Sequence, residues 1–191
     1  MRGIRAMRQQ TRFFEGAKQA PADNYSNRGM ALEHALNDMH GIYYSMGRAL
    51  ITHQYPAFQR VNADGLGRVT GRSTVDYEGV VNGGLHVAFD AKTTAERSIQ
   101  LSRLQLHQLQ YLIDVERMGG IAFVLVQFEH RRCYRVPALA WKSAVDACNG
   151  CLYDVYHGWN PSGKASLKES ELPKSWAVYG VDWMQHGAQN Q

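Results

Sequence analysis

Cysteine is scarce in this chain, three residues in 191, which is too few for a disulfide framework. No apolar run approaches the roughly 18 residues that a bilayer-spanning helix requires. The opening stretch, MRGIRAMRQQTRFF, carries charge but lacks the apolar segment of a secretory signal. No internal repeat is visible. Membrane proteins, secreted disulfide-knotted domains and fibres are therefore set aside, and a cytoplasmic protein is expected. What is present is ordinary globular material, 45% hydrophobic and 20% charged, in a length that suits one domain with a real core. Acidic residues number 17 against 21 lysines and arginines, and the resulting charge of +4 accommodates a polyanionic partner without demanding one.

Residues 1–26 stand apart as a basic arm. Arg2, Arg5, Arg8, Arg12 and Lys18 face only Glu15 and Asp23, and the stretch ends in the turn-like AKQAPADNYS. The remainder, 27–191, reads as one domain. A helix is expected from a cap at Ser26 or Asn27 to about Met46, with Leu32, Leu36, Met39, Tyr43 and Met46 on one stripe and Glu33, Asn37, His40 and Tyr44 on a polar flank. Ala49–His53 reads as a strand. Residues 56–75, rich in glycine and arginine, read as a loop or protruding hairpin with Arg60, Arg68 and Arg72 on its surface. DYEGVV and HVAFDAK read as two strands joined through Asn82-Gly83-Gly84. A second helix is expected over 101–118, with Gln108 in the middle of an apolar face. IAFVLVQF follows as a buried strand, CYRVPA as its hairpin partner, and Pro137 opens a third helix to about Ala147. Trp159, Trp176 and Trp183 imply that much of the tail packs. This order describes a mixed α/β domain.

The chemistry concentrates between Asp76 and Lys92. Alternation along HVAFDAK puts Val87, Phe89 and Ala91 on the core side, so Asp90 and Lys92 project together from the other. Asp76, from the preceding strand, can sit across from them. Two carboxylates suit a hard divalent cation, which polarises a phosphate and acidifies bound water, while a lysine orients that water. On residues alone the pattern is common, and a surface ion pair between Asp90 and a neighbouring lysine accounts for it equally well. The order helix, Gly-Gly hairpin, helix, strand around it is the framework of a restriction-endonuclease-like core: a mixed central sheet flanked by helices.

Four segments then match a known family in order. NRGMALEHALN (27–37), STVDYEGVVNGGLHVAFDAKTT (73–94), LQLHQLQYL (104–112) and GGIAFVLVQF (119–128) closely resemble the RecU-type Holliday junction resolvases, with a weaker match through LKESELPKSWAVYGVDW (167–183). The resemblance implies a homodimeric, Mg²⁺-dependent nuclease, with Mn²⁺ able to substitute. Such an enzyme nicks opposing strands of a four-way DNA junction and leaves 5′-phosphates, in homologous recombination and repair near the nucleoid. By the same resemblance Asp76 is the first metal carboxylate. Asp90 stands where the family usually has glutamate, Lys92 is the catalytic lysine, and the Ala91 backbone carbonyl completes the metal's protein ligands. Glu33 matches a helical glutamate near the active site, metal-linked or supporting. Gln108 matches the glutamine of the helix after the lysine strand, and Thr74 assists at the strand start.

The chain departs from the family pattern in three places. Glu78 adds a carboxylate two residues after Asp76, as an extra metal-site group or a rim residue. The 56–75 segment corresponds to the family's stalk but is shorter. The N-terminal arm has no motif match, although its charge suits DNA. Arg2, Arg5, Arg8, Arg12, Arg28, Arg60, Arg68 and Arg72 are the candidate phosphate contacts. Two other readings remain: a nuclease of the same fold that prefers flaps, nicks or duplex, and a DNA-binding recombination factor without catalysis. His130, Cys133, Cys148 and Cys151 imitate a zinc spacing, but they fall on elements whose ends would have to meet, and idle thiols are expected instead.

Overall fold

The computed structural model describes residues 25–55, 58–60, 67–69, 74–129 and 132–186. Helix α1 (Tyr25–Ser45) leads into strand β1 (Ala49–His53). A separate antiparallel pair follows, β2 (Phe58–Arg60) and β3 (Gly67–Val69), then the hairpin β4 (Tyr77–Val81) and β5 (Leu85–Thr93). After β6 (Ser98–Gln100) come α2 (Leu106–Arg117), β7 (Ile121–Gln127), β8 (Cys133–Pro137) and α3 (Ala138–Cys148). The chain closes with β9 (Ser166–Lys168), β10 (Ala177–Tyr179) and β11 (Asp182–His186).

Seven strands form one mixed sheet in the order β1-β4-β5-β7-β8-β10-β11. Only β5 and β7 run parallel, with α2 as the crossover between them, and the other neighbours are antiparallel. Helices cover both faces. On one, Leu32, Leu36 and Tyr43 of α1 pack on Tyr77, Val87, Phe89, Phe123, Leu125 and Trp183. On the other, Leu109, Leu112 and Ile113 of α2 and Trp141 and Ala144 of α3 pack on Ala88, Val124 and Val126. Double coverage explains why β7 reads as an unbroken apolar run rather than an alternating one. The expected mixed sheet flanked by helices is the architecture observed.

Several local expectations are corrected. Helix α1 begins at Tyr25 and ends at Ser45, because Gly47 takes φ 63° and the Arg48 N–H turns back to the Tyr43 carbonyl at 2.8 Å. Met46 therefore leaves the apolar stripe and is exposed. His40, assigned to a polar flank, is buried against the sheet. The second helix is not continuous from Leu101. Leu101–Arg103 is a short 3₁₀ turn, Leu104 and Gln105 are extended, and α2 starts afresh after Gln105. Gln105 and Gln108 cap each other reciprocally there, which places Gln108 in the first turn rather than mid-helix. The 56–75 segment carries the β2–β3 hairpin outside the main sheet. Trp183 is buried, and Trp159 and Trp176 pack against the core, as the tail's composition predicts.

Candidate active site

Strand β5 is an interior strand of the sheet, covered on both faces, so the side away from α1 that carries Asp90 and Lys92 is roofed as well. The acidic residues gather at its carboxyl end. The β4–β5 register pairs Tyr77 with Phe89 and Glu78 with Ala88. Continuing that register sets Asp76, one residue before β4, opposite Asp90. The Ala91 N–H donates to Asp76 Oδ2 at 2.9 Å, which fixes the carboxylate against β5. Lys92 Nζ lies 2.6 Å from Asp90 Oδ2 and 3.8 Å from Asp76 Oδ2, so one ammonium bridges both carboxylates. The ion pair exists, but it is not on the surface: Asp90 is 0% exposed and Lys92 16%.

Burial and the adjoining Asp76 carboxylate push the Asp90 carboxyl well above its ordinary range, against the pull of Lys92. For Asp76 burial acts upward too, yet the hydrogen bond with Asp90, the Lys92 charge, the Ala91 N–H and His53 outweigh it and hold it below the usual range. Two carboxylates this close disfavour each other's ionisation, and the pair is pushed in opposite directions, Asp90 up and Asp76 down. Among the described residues Asp90 Oδ2 has no hydrogen bond despite its burial, and Lys92 meets it as an ion pair.

Gln108 projects from the first turn of α2. Its Oε1 accepts the Gln105 N–H at 3.1 Å, which leaves Nε2 aimed at Asp90 Oδ1, 3.5 Å away. The capping bond thus orients the amide, and the glutamine faces the carboxylate as a donor. Thr74, exposed just before β4, donates its hydroxyl to Glu78 Oε1 at 3.1 Å. Asp76, Asp90, Lys92, Ala91 and Gln108 therefore converge.

Glu33 lies exposed on α1, the helix that covers the other face of the sheet, and its charge reaches the Tyr77 hydroxyl, which burial first and then the Glu33 and Asp76 charges raise. Arg28 sits half-buried in the first turns of α1, its Nε enclosed without a hydrogen-bond partner among the described residues. Arg2, Arg5, Arg8, Arg12, Lys18, Arg72 and His130 lie outside the described residues, as do the side chains of Arg60 and Arg68. Cys133 is buried on β8 beside Gln127, Cys148 ends α3, and Cys151 is exposed.

Sequence reasoning missed two neighbours of the site. His53, at the end of β1, places its ring 4.8 Å from that of Tyr77 and lowers Asp76 electrostatically. Tyr111 of α2 lies near Glu78, and burial together with that carboxylate lifts its phenol to about 12. Neither had a local signal: His53 ends an apolar run, and Tyr111 is one apolar residue among several on α2.

The model of the family Recombination protein U (RecU) matches residues 27–150, which hold every described member of this cluster. The chain belongs to the RecU family. Its relatives include the proteins named Holliday junction resolvase RecU of three bacteria. That of Pediococcus pentosaceus is 37% identical over 114 residues, 54% of this chain and 56% of the relative. That of Shouchella clausii is 34% identical over 124 residues (60% and 59%), and that of Streptococcus pneumoniae 35% over 127 residues (61% and 64%). The RecU-family chain thus spans less than two thirds of the length of these relatives. The solved structure of Archaeoglobus fulgidus Hjc, a Holliday junction resolvase from an archaeal hyperthermophile, overlaps 58% of this chain and 73% of that one. Its TM-score is 0.37 at 18% identity, a likeness too loose to carry an argument.

Proposed function

We propose that this RecU-family chain is a metal-dependent endonuclease that resolves four-way DNA junctions by paired symmetric nicks as a homodimer. The observation that carries the reading is the convergence of Asp76, Asp90, Lys92 and Gln108 at the end of an interior strand, within the segment that the family model matches.

The donor set fits a hard divalent cation. Two carboxylates converge here within reach of a single ammonium, and the buried Asp90 Oδ2 has no hydrogen-bond partner among the described residues. Mg²⁺ takes one or two carboxylates and keeps several waters, and two carboxylates are what converge here. Asp76, Asp90 and the Ala91 carbonyl would hold it, and a bound cation supplies charge to the scissile phosphate and acidifies water.

The residues divide the remaining work. Asp90 would have to be ionised to hold the cation, so cation binding should weaken as pH falls. Lys92 would orient the attacking water and offset charge that develops on the phosphate. Gln108 holds the Asp90 carboxylate through Nε2, and the Ala91 N–H holds Asp76. Glu33 supports from α1, and the arm, Arg28 and the arginines of the 56–75 segment supply phosphate contacts.

The test is the Asp90→Asn variant, assayed for cleavage and binding on a four-way junction with Mg²⁺ and with EDTA. The expected outcome is a loss of at least about 100-fold in rate, the scale of removing one electrostatic stabiliser of the transition state, with junction affinity retained. Wild-type cutting by the variant, or cutting by the wild type in EDTA, contradicts the assignment.

A further inference from the structure

We propose that Tyr55 is a base-stacking residue: its exposed ring takes the open face of a base where the DNA stack is interrupted, and so favours branched DNA over continuous duplex. The inference rests on the reading of the chain as a junction nuclease and gives that reading a residue that meets the branch.

Strand β1 brings Tyr55 to the rim of the centre. The Gln54 N–H donates to the Asp76 carbonyl at 2.8 Å, so the end of β1 is bonded to the residue that carries the first carboxylate. Tyr55 comes next. Alternation puts it on the same side of the strand as His53, and the two rings meet edge-on with centroids 4.3 Å apart. His53 in turn meets Tyr77 edge-on at 4.8 Å, and Tyr77 stacks on Phe89 at 4.9 Å. Tyr77 directly follows Asp76, and Phe89 directly precedes Asp90. A row of rings therefore runs behind both carboxylates and ends, at the root of the 56–75 segment, in Tyr55.

Exposure changes abruptly along that row: Tyr77 and Phe89 are fully buried, whereas Tyr55 is 73% exposed. The open ring is nevertheless held. His53 supports it, and Pro56, the next residue, restricts the Tyr55 backbone to extended conformations. An aromatic side chain has only two torsions left to settle, so a ring held in this way binds at low entropic cost. Its chemistry suits a nucleobase, because every base offers a π-face and stacking on an aromatic ring tolerates any sequence. Arg60, Arg68 and Arg72 follow in the same segment and bring the positive charge that draws phosphates alongside. In a continuous duplex the base faces are taken up by the stack. At a branch the stack of each arm ends and leaves a face open, so a fixed ring selects by shape.

Fluorescence-anisotropy binding in EDTA, where nothing is cut, tests the full chain on a four-way junction, a duplex with a loop of unpaired thymines, and a fully paired duplex. Tyr55→Ala is expected to weaken binding to the junction and the looped duplex about tenfold, the scale of one lost base–aromatic stack, and binding to the paired duplex less than about twofold. Tyr55→Phe, which keeps the ring, should match wild type on every substrate. Unchanged affinity of Tyr55→Ala for the junction and the looped duplex overturns the proposal, as does an equal loss on all the substrates. So does a loss in Tyr55→Phe as large as that in Tyr55→Ala, which would make the hydroxyl the contact. Should Tyr55→Ala melt below the assay temperature, Tyr55→Leu, which keeps apolar bulk against His53 and removes the π-face, is read in the same way. Junction cleavage by the wild type in Mg²⁺, measured alongside, keeps the two claims apart. A wild type that cuts no junction removes the nuclease reading, while a Tyr55→Ala loss confined to the interrupted substrates still supports the stack. A wild type that binds none of these DNAs overturns both.

Discussion

His40 and Gln108 show how much single side chains depend on partners distant in sequence. His40 Nε2 accepts the Trp183 indole N–H at 3.1 Å, and its ring sits edge-on to Tyr77 at 5.0 Å. Burial, helped by His53, lowers its pKa to about 4. Between that value and the ordinary 6.5 the unfolded chain binds a proton that the folded chain refuses, so stability rises with pH across the window and is lost as pH falls through it. The contribution is at most about 3 to 4 kcal/mol. Urea unfolding at pH 4.5 and 7 should show this slope reduced in His40→Gln, whose amide oxygen can still accept from Trp183. An identical slope in both proteins would place the proton elsewhere. None of this is legible in the sequence, where His40 sits one position from the apolar stripe and its partner lies 143 residues away. Gln108 is legible as a residue but not in orientation, because its aim depends on the Gln105 cap, and the apolar spacing of Leu101 and Leu104 concealed the helix start.

At the scale of elements, the β4–β5 hairpin and its neighbours carry the site. The Asn82-Gly83-Gly84 turn, the strands on either side of it and the β7 run were all readable, because their signals are local: turn residues, alternation and a continuous apolar stretch. Coverage of both faces of β5 was not. Alternation alone cannot distinguish a solvated face from one roofed by a helix, so Asp90 reads as surface-facing in the sequence and is buried in the fold. The β6–β9 pair and the addition of β10 and β11 to the main sheet join segments far apart in sequence, and no short window reports such pairing. The edge pair β1–β4 depends on close backbone approach at Gly79, where a Cβ would meet the Leu50 carbonyl oxygen at 2.0 Å and Ile51 Cα at 2.8 Å. Both obstacles are backbone, so Gly79→Ala must push β1 away from β4. The expected cost is about 3 kcal/mol, the upper part of the usual overpacking range, read as a lower urea midpoint. Because β4 continues back to Asp76, cleavage should fall as well. A variant as stable as wild type would mean that the two strands part freely.

For the whole molecule, the RecU-family match covers nearly all of α1, the sheet strands β1, β4, β5, β7 and β8 and the carboxylate centre, and it ends just after α3, before β10 and β11. Among the described residues no helix is long and apolar enough to cross a membrane. The basic residues of the arm, Arg2, Arg5, Arg8, Arg12 and Lys18, would add phosphate contacts, each worth nearly one unit in the slope of log affinity against log salt. Removing residues 1–24 should therefore flatten that slope by at least about two units and weaken binding to every DNA alike. An unchanged slope would take the arm off the DNA. Shape selectivity should instead reside in the shortened 56–75 hairpin and in a two-fold dimer that matches a two-fold junction.

The most direct test of the central claim is a cleavage assay of the wild-type chain on a four-way junction beside linear duplex, flap and nicked controls, with the nick positions mapped on each strand in Mg²⁺. Paired nicks at symmetric positions are expected, confined to the junction and abolished by EDTA. Cutting spread evenly over all four substrates, or tight junction binding with no cutting, would contradict the claim.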